Sequence, residues 1–406
     1  MSSRLPTLFI LITVMIDSMG IGIIIPVMPA LILDIEGGTL ANAAIWGGIL
    51  SSSFAVMQFL FGPLVGNLSD RFGRRPVLLV SLFVMAADYV VMALASTIWL
   101  LLLGRLVGGI AGATQSTAAA FMADTNPPDK RGAGFGMVSA AFGLGFVLGP
   151  VIGGLLGDLG PRAPFYAAAF LAFANFIFGY FILPETVTDK NRRAFSLSRA
   201  NPFGAIRQIR ALPGVDRLLT VLLLYQLAFN AYPAIWAYYT QAQFNWDSRM
   251  IGLSLAVFGI SMALVQGVLI RITIKHLGEV GTVMLGFGFA IVSFACLSVL
   301  TSGWMALALT PISATAAMAV PAMQAIMSRQ SSEDAQGELQ GIFTSVGALA
   351  MILSPLLMTS VFAAFTSPSA PIYLPGAPFM TSLVMALAGL VLFLQRRHGK
   401  NDVSAT

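Results

Sequence analysis

The chain has 406 residues, 57% of them hydrophobic and only 10% charged, with a formal net charge of +5. Soluble domains carry about 25% charged residues, so this composition excludes an ordinary soluble domain. The single Cys296 lies in an apolar run, which excludes a disulfide framework and a thiolate metal site. The basic residues sit in short loops, not on a nucleic-acid-binding face.

In chain order, twelve apolar runs are predicted to be membrane-spanning helices, since each is long enough to cross a bilayer core of about 30 Å. They cover roughly 5–33, 45–66, 76–95, 98–122, 132–157 and 163–183, then 217–243, 249–273, 282–301, 304–328, 336–365 and 376–395. The first run is too long for a signal peptide, contains Asp17, and is followed by Asp34 and Glu36 without a small-residue cleavage site. Between the second and third runs lies the polar clasp 66–75, with Gly66 and Gly73 near its ends and Asp70, Arg71, Arg74 and Arg75 between and after them. So short a link must turn back at once, and its arginines mark its side as cytoplasmic.

The long hydrophilic stretch 184–216 reads as a linker between two bundles, 1–183 and 217–406. Of the 22 Lys and Arg, 19 fall on the side of the clasp, the linker and both termini. That bias places both termini in the cytoplasm. A constant offset of 205 residues pairs Gly73 with Gly278, Trp99 with Trp304, Gly132 with Gly337 and Pro150 with Pro355. The expected fold is therefore an all-α integral membrane protein of twelve helices, built as two pseudo-symmetric six-helix bundles. In the same register Asp70 faces Lys275, Arg74 faces Glu279 and Asp124 faces Arg329. These reversals are either attraction between the halves or drift at solvated loop positions.

Three charged residues fall deep within the spans, away from their ends: Asp17, Asp88 and Arg105. By helical rise Asp17 lies about 16 Å in from Pro6, and Asp88 about 18 Å in from Pro76. A charge near the midplane costs about 2.5–3.5 kcal/mol on insertion scales, so these residues must face a wet cavity or each other. Two readings stay open: a structural Asp–Arg pair, or carboxylates that carry a proton. The fifth run has Gly145, Gly149, Gly153 and Gly157 four apart, with Pro150 and Gly154 among them. That spacing makes one smooth helix stripe, suited to close packing.

The clasp G-x-L-S-D-R-F-G-R-R resembles the loop between helices 2 and 3 of the major facilitator superfamily. Gly-Pro-Val-Ile-Gly-Gly at 149–154 resembles that superfamily's antiporter motif. Within it, Asp17-Ser-Met-Gly-Ile-Gly, Met57-Gln58, Asp88-Tyr89, Leu103-Gly104-Arg105-Leu106, Ala123-Asp124-Thr125 and Pro321-Ala322-Met323-Gln324 resemble the bacterial tetracycline/proton antiporters. The resemblance implies proton coupling through Asp17, Asp88 and Arg105. It implies substrate contacts at Gln58, Gln115, Gln226, Asn230, Trp236, Met262 and Gln324, and a cytoplasmic gate of Gly66, Asp70, Arg71, Gly73, Arg74, Arg75 and Asp124. Asp70 would then meet the N-terminus of the eleventh span, near Gln336.

Two positions depart from that pattern, since Met262 and Ala290 stand where the tetracycline exporters carry a His and an Asp. The second half instead offers Tyr225, Gln226, Asn230, Tyr232, Trp236, Tyr238, Tyr239 and Gln241, expected here as an aromatic and amide-rich cavity wall. The expected function is a proton-coupled antiporter exporting small amphipathic drugs by alternating access, tetracycline-like substrates first. The alternatives are efflux of another lipophilic antibiotic or a metabolite, and a membrane sensor that moves no solute. No enzyme is expected, for want of a nucleophile–base pair, metal cluster or phosphate-binding loop. No bound cofactor is expected either: the proton is the coupling ion, and magnesium enters only within a chelated substrate. The expected setting is a monomer among the lipids of the bacterial inner membrane.

Overall fold

A computed structural model of the chain describes residues 4–112, 114–127, 131–189, 192–196, 201, 216–331 and 336–401, with the side chains of 4, 114–115, 131 and 396–401 outside that set. Most of the expected linker therefore lies outside the described residues, which contain no strand. Their helices are α1 (Arg4–Ile24), α2 (Met28–Glu36), α3 (Leu40–Phe72), α4 (Arg74–Leu94), α5 (Ile98–Ala111), α6 (Thr114–Thr125), α7 (Arg131–Gly157) and α8 (Ala163–Ile182). There follow α9 (Asp216–Phe229), α10 (Ala231–Phe244), α11 (Ser248–Leu264), α12 (Ile270–Val299), α13 (Gly303–Thr315), α14 (Ala319–Gln330), α15 (Gln336–Thr366) and α16 (Ala377–Asn401).

Among the described residues, eleven stretches are long and apolar enough to cross a membrane. One of them, Ser248–Val299, has 52 residues, about 78 Å of helix and more than twice a bilayer core. Its helical geometry breaks at Gly278, where φ is 68° and ψ 178°. It therefore holds two spans, and the described residues contain the expected twelve.

The breaks inside the spans obey the 205-residue register. The first run is not one helix: it stops between Ile24 and Met28, where Pro26 removes a backbone donor and Pro29 opens the next helix. The equivalent break parts α9 from α10 at Asn230. Gly112 ends α5, and the three-residue 3-10 turn Ala316–Met318 separates α13 from α14 at the matching place. Gly73 and Gly278 also match, both with positive φ, at 114° and 68°. Repeated kinks at matched positions are a stronger sign of duplication than matched hydropathy.

The chain forms two compact units, and neither follows the sequence halves throughout. The first joins residues 1–38 and 49–202 with 247–256; the second joins 39–48, 203–246 and 257–406. In the first unit α1 lies along α7, and α4 packs on α8 and α5. Its core gathers Phe9, Ile10, Leu78, Leu82, Phe121 and Met122. In the second unit α9 and α12 pack on α16, and α12 also meets α14. There Phe287, Phe294, Phe362 and Phe379 are fully buried.

Candidate functional site: charged helices and a braced clasp

The glycine stripe determines how near α1 can come. A Cβ at Gly145, Gly149 or Gly153 would strike the backbone oxygen of Met15, Met19 or Ile23 respectively. The two helices thus touch backbone to backbone along the turns that flank Asp17. On the neighbouring face, Gly154 abuts the backbone of Ser248 and Gly252, and Gly252 abuts the carbonyl of Pro150, all inside the first unit. Gly157 meets Val27 and Ser248. Ser18 adds a fixed point, donating from Oγ to the Phe142 carbonyl at 2.6 Å. Asn175 donates to the Thr13 hydroxyl at 2.9 Å, which ties α1 to α8. The half-buried Asp17 is therefore carried on a rigidly held helix.

Asp88 and Arg105 are both buried, on α4 and α5. Among the described residues no direct ion pair joins Asp88 to Arg105, although the two lie within electrostatic reach of each other. The Asp88 carboxylate lies against the bare faces of Gly104 and Gly108, where a side chain would displace it. The Arg105 guanidinium stacks over the Phe54 ring, 4.1 Å from its centroid, and its Nε has no hydrogen-bond partner. A cation held by a ring face keeps its charge, and here it stays within electrostatic reach of the Asp88 carboxylate without an ion-pair contact. Tyr89 is buried within electrostatic reach of Asp17, Asp88 and Arg105, and its hydroxyl fills the space left by Gly20. Phe54 and Tyr89 thus complete the cluster.

Gln58 donates to the Gly112 carbonyl at 3.1 Å, beside the break between α5 and α6. The side chain of Gln115, just beyond that break, lies outside the described residues. In the second unit Gln226, Asn230, Met262 and Gln324 are each half-buried. Asn230 sits at the α9–α10 break and donates to the Gln226 carbonyl at 2.8 Å. Met262 lies three residues before a π-helical turn, Val265–Leu269, a local feature often found near functional positions.

The aromatic wall is different from expectation. Tyr225, Tyr232, Trp236, Tyr238 and Tyr239 are buried inside the second unit, not exposed along a cavity. Tyr225 donates to the Ala316 carbonyl at 2.6 Å and Tyr239 to the Leu297 carbonyl at 2.8 Å. Trp236 is packed among Tyr232, Tyr239, Trp246 and Phe379. These residues form the unit's packed interior, and Ala290 is buried there too.

The clasp comes together closely. Arg74 pairs with Asp70 one turn earlier and with Asp124 at 3.2 Å, and also donates to Ser69 at 3.1 Å. Gly73 turns the chain with φ 114°, a region that other residues rarely enter. Glu185 then accepts from the first backbone N–H groups of α4, Arg74 at 2.9 Å and Arg75 at 3.2 Å. A carboxylate there satisfies orphan donors and complements the positive helix end. Arg75 donates to the Tyr180 carbonyl at 2.8 Å, while the exposed Arg71 lies over the Phe72 ring. Gly66 is half-buried, and Asn67 donates to the Ser196 carbonyl at 2.6 Å. Glu185 was not anticipated; the only sequence signal is an acidic residue directly after the sixth span and Pro184.

The sequence profile of the Major Facilitator Superfamily matches residues 10–355 and 218–405. Among curated relatives, the class C tetracycline resistance protein of Escherichia coli is 41% identical over 367 residues, 90% of this chain and 92% of that protein. The class B tetracycline resistance protein of Escherichia coli is 34% identical over 401 residues, 97% of this chain and 98% of that one. Among solved structures, the human organic anion transporter MFSD10 (TETRAN) superposes with a TM-score of 0.70 at 24% identity, over 97% of this chain and all of that one. The nucleoside transporter NupG gives 0.75 at 15% identity, over 96% of this chain and 99% of that one. These likenesses to solved structures speak for the fold.

Proposed function

The chain belongs to the Major Facilitator Superfamily, and from that premise we propose that it is a proton-coupled antiporter exporting small amphipathic drugs, with tetracycline-like molecules the leading substrates. The observation that carries the reading is the membrane-level cluster of Asp17, Asp88, Tyr89 and Arg105, in a chain 41% identical to a tetracycline resistance protein. Asp88 and Arg105 are buried without neutralising each other by contact. Such an arrangement suits a carboxylate that must gain and lose a proton.

In the proposed cycle, Asp17 and Asp88 accept protons while the path is open to the outside and release them to the cytoplasm. Substrate moves the opposite way as the two halves rock about a midplane site. Gln58, Gln226, Asn230, Met262 and Gln324 are the proposed substrate contacts, and Gln115 joins them on sequence alone. Trp236 supports them from within its packed cluster. Gly66, Asp70, Arg71, Gly73, Arg74, Arg75 and Asp124 form the proposed cytoplasmic gate. The protein acts as a monomer in the bacterial inner membrane with both termini in the cytoplasm. Magnesium enters only as part of the chelated drug. With Met262 in place of an ionisable group among the proposed contacts, the second half holds such a cationic chelate weakly, so less polar substrates bind tighter.

Purified protein in proteoliposomes tests this. An imposed pH gradient is expected to drive tetracycline or a less polar drug across the membrane, and a protonophore is expected to abolish the movement. Binding without any solute movement would instead identify a sensor.

A further inference from the structure

An apolar groove of about 390 Å³, open to the surroundings, lies in the first unit between α3, α4 and α5. Val65, Leu68, Phe72, Val77, Val80 and Val107 form most of its wall. The wall is carbon almost throughout, and Phe72 and Val80 are open to the surroundings, at 59% and 62% exposure. Along α4 the groove runs from Pro76 to Val84, about 12 Å at the helical rise. One leaflet contributes about 15 Å of hydrocarbon. The groove therefore begins at the clasp and extends through most of the leaflet on that side.

Its mouth carries an uncommitted charge. Arg74 is engaged by Asp70 and Asp124, and Arg75 by the Tyr180 carbonyl. Arg71 has no ion pair among the described residues, and its guanidinium rests 5.1 Å from the centroid of the Phe72 ring. Because Phe72 is also part of the wall, the stacked cation lies against a residue that lines the slot.

We propose that this groove is a binding site for an anionic glycerophospholipid of the clasp-side leaflet, with one acyl chain along α4 and the headgroup phosphate on Arg71. A molecule with tetracycline's many hydroxyls would bury them against carbon without hydrogen-bond partners, at a cost an acyl chain does not incur. Apolar burial gives little preference over bulk lipid, so the charge supplies the selectivity. One basic side chain near an anionic membrane surface favours anionic lipid by about fivefold. Lipid held here would bear on α4 directly below the clasp.

Native mass spectrometry of the full chain, released from detergent containing equal phosphatidylglycerol and phosphatidylcholine, tests the proposal. Wild-type protein is expected to retain phosphatidylglycerol about fivefold over phosphatidylcholine. Arg71→Gln is expected to remove that preference while keeping the amount of bound lipid. Val80→Trp, which fills the slot from an exposed position, is expected to lower retention of both lipids. Equal retention by wild-type protein, or an unchanged preference in Arg71→Gln, would overturn the proposal. So would displacement of the lipid by inorganic phosphate alone, or a protein dimer that disappears with Val80→Trp.

Discussion

The clasp of the first unit and its counterpart in the second occupy the same register with opposite charge. In the first, Arg74 contacts Asp124 at 3.2 Å; in the second, Glu279 contacts Arg329 at 2.9 Å. Both members of the pair have changed sign, and the ion pair survives inside each unit. A single reversal would set like charges together, so the paired change is what keeps the contact inside each unit. The surroundings differ as much as the signs. The Arg74 side chain is 11% exposed and has a second carboxylate, Asp70, whereas the Arg329 side chain is 76% exposed. Glu185 caps the helix that leaves the first clasp, and among the described residues no side chain caps the second clasp in the same way.

The largest effect on this contrast is expected from Arg74→Ala, which strands Asp70 and Asp124 together. The lost charge-assisted bonds amount to about 2–3 kcal/mol, read as a fall in the melting temperature of the purified protein. Next comes exchange of charges. Glu279→Arg with Arg329→Glu is expected to restore most of what either single change loses, since among the described residues neither Glu279 nor Arg329 has a second ion pair. Arg74→Glu with Asp124→Arg is expected to recover only part, because Asp70 then faces Glu at position 74. Double-mutant cycles on thermal stability measure both couplings. Equal recovery in the two units would erase the distinction drawn between them.

Glu185→Gln is expected to cost about 1 kcal/mol through the weakened cap on α4, with the loss shrinking as salt rises. Arg329→Ala is the smallest effect, about 1 kcal/mol or less, since the Arg329 side chain is 76% exposed although Glu279 is 13% exposed. If Arg329→Ala proved as damaging as Arg74→Ala, exposure would not be what separates the two clasps.

The spans, the repeat and the clasp were legible in the sequence because hydropathy, offset and loop charge are local properties of the string. Asp17, Asp88 and Arg105 stood out for the same reason: charge inside an apolar run is conspicuous. Their partners did not. Phe54 looks like any apolar residue of α3, and only the fold brings its ring beneath Arg105. Glu185 reaches α4 across more than a hundred residues of chain. The aromatics of α10 were misjudged for a related reason. In a membrane helix the lipid face and the packed face are both apolar, so residue type alone does not say which one lines a path. The division of the units was hidden too, since residues 39–48 and 247–256 each join the unit of the opposite sequence half.

The most direct measurement concerns Asp17 and Asp88, the carboxylates deep within spans of the first half. Wild-type protein and the Asp17→Asn, Asp88→Asn double variant are reconstituted in proteoliposomes, and two activities are compared in each. Drug accumulation driven by an imposed pH gradient is expected to fall to background in the double variant. Counterflow, which exchanges drug for drug without net proton movement, is expected to continue and so to show that the variant is folded. Gradient-driven accumulation that persists in the double variant would contradict proton carriage by Asp17 and Asp88.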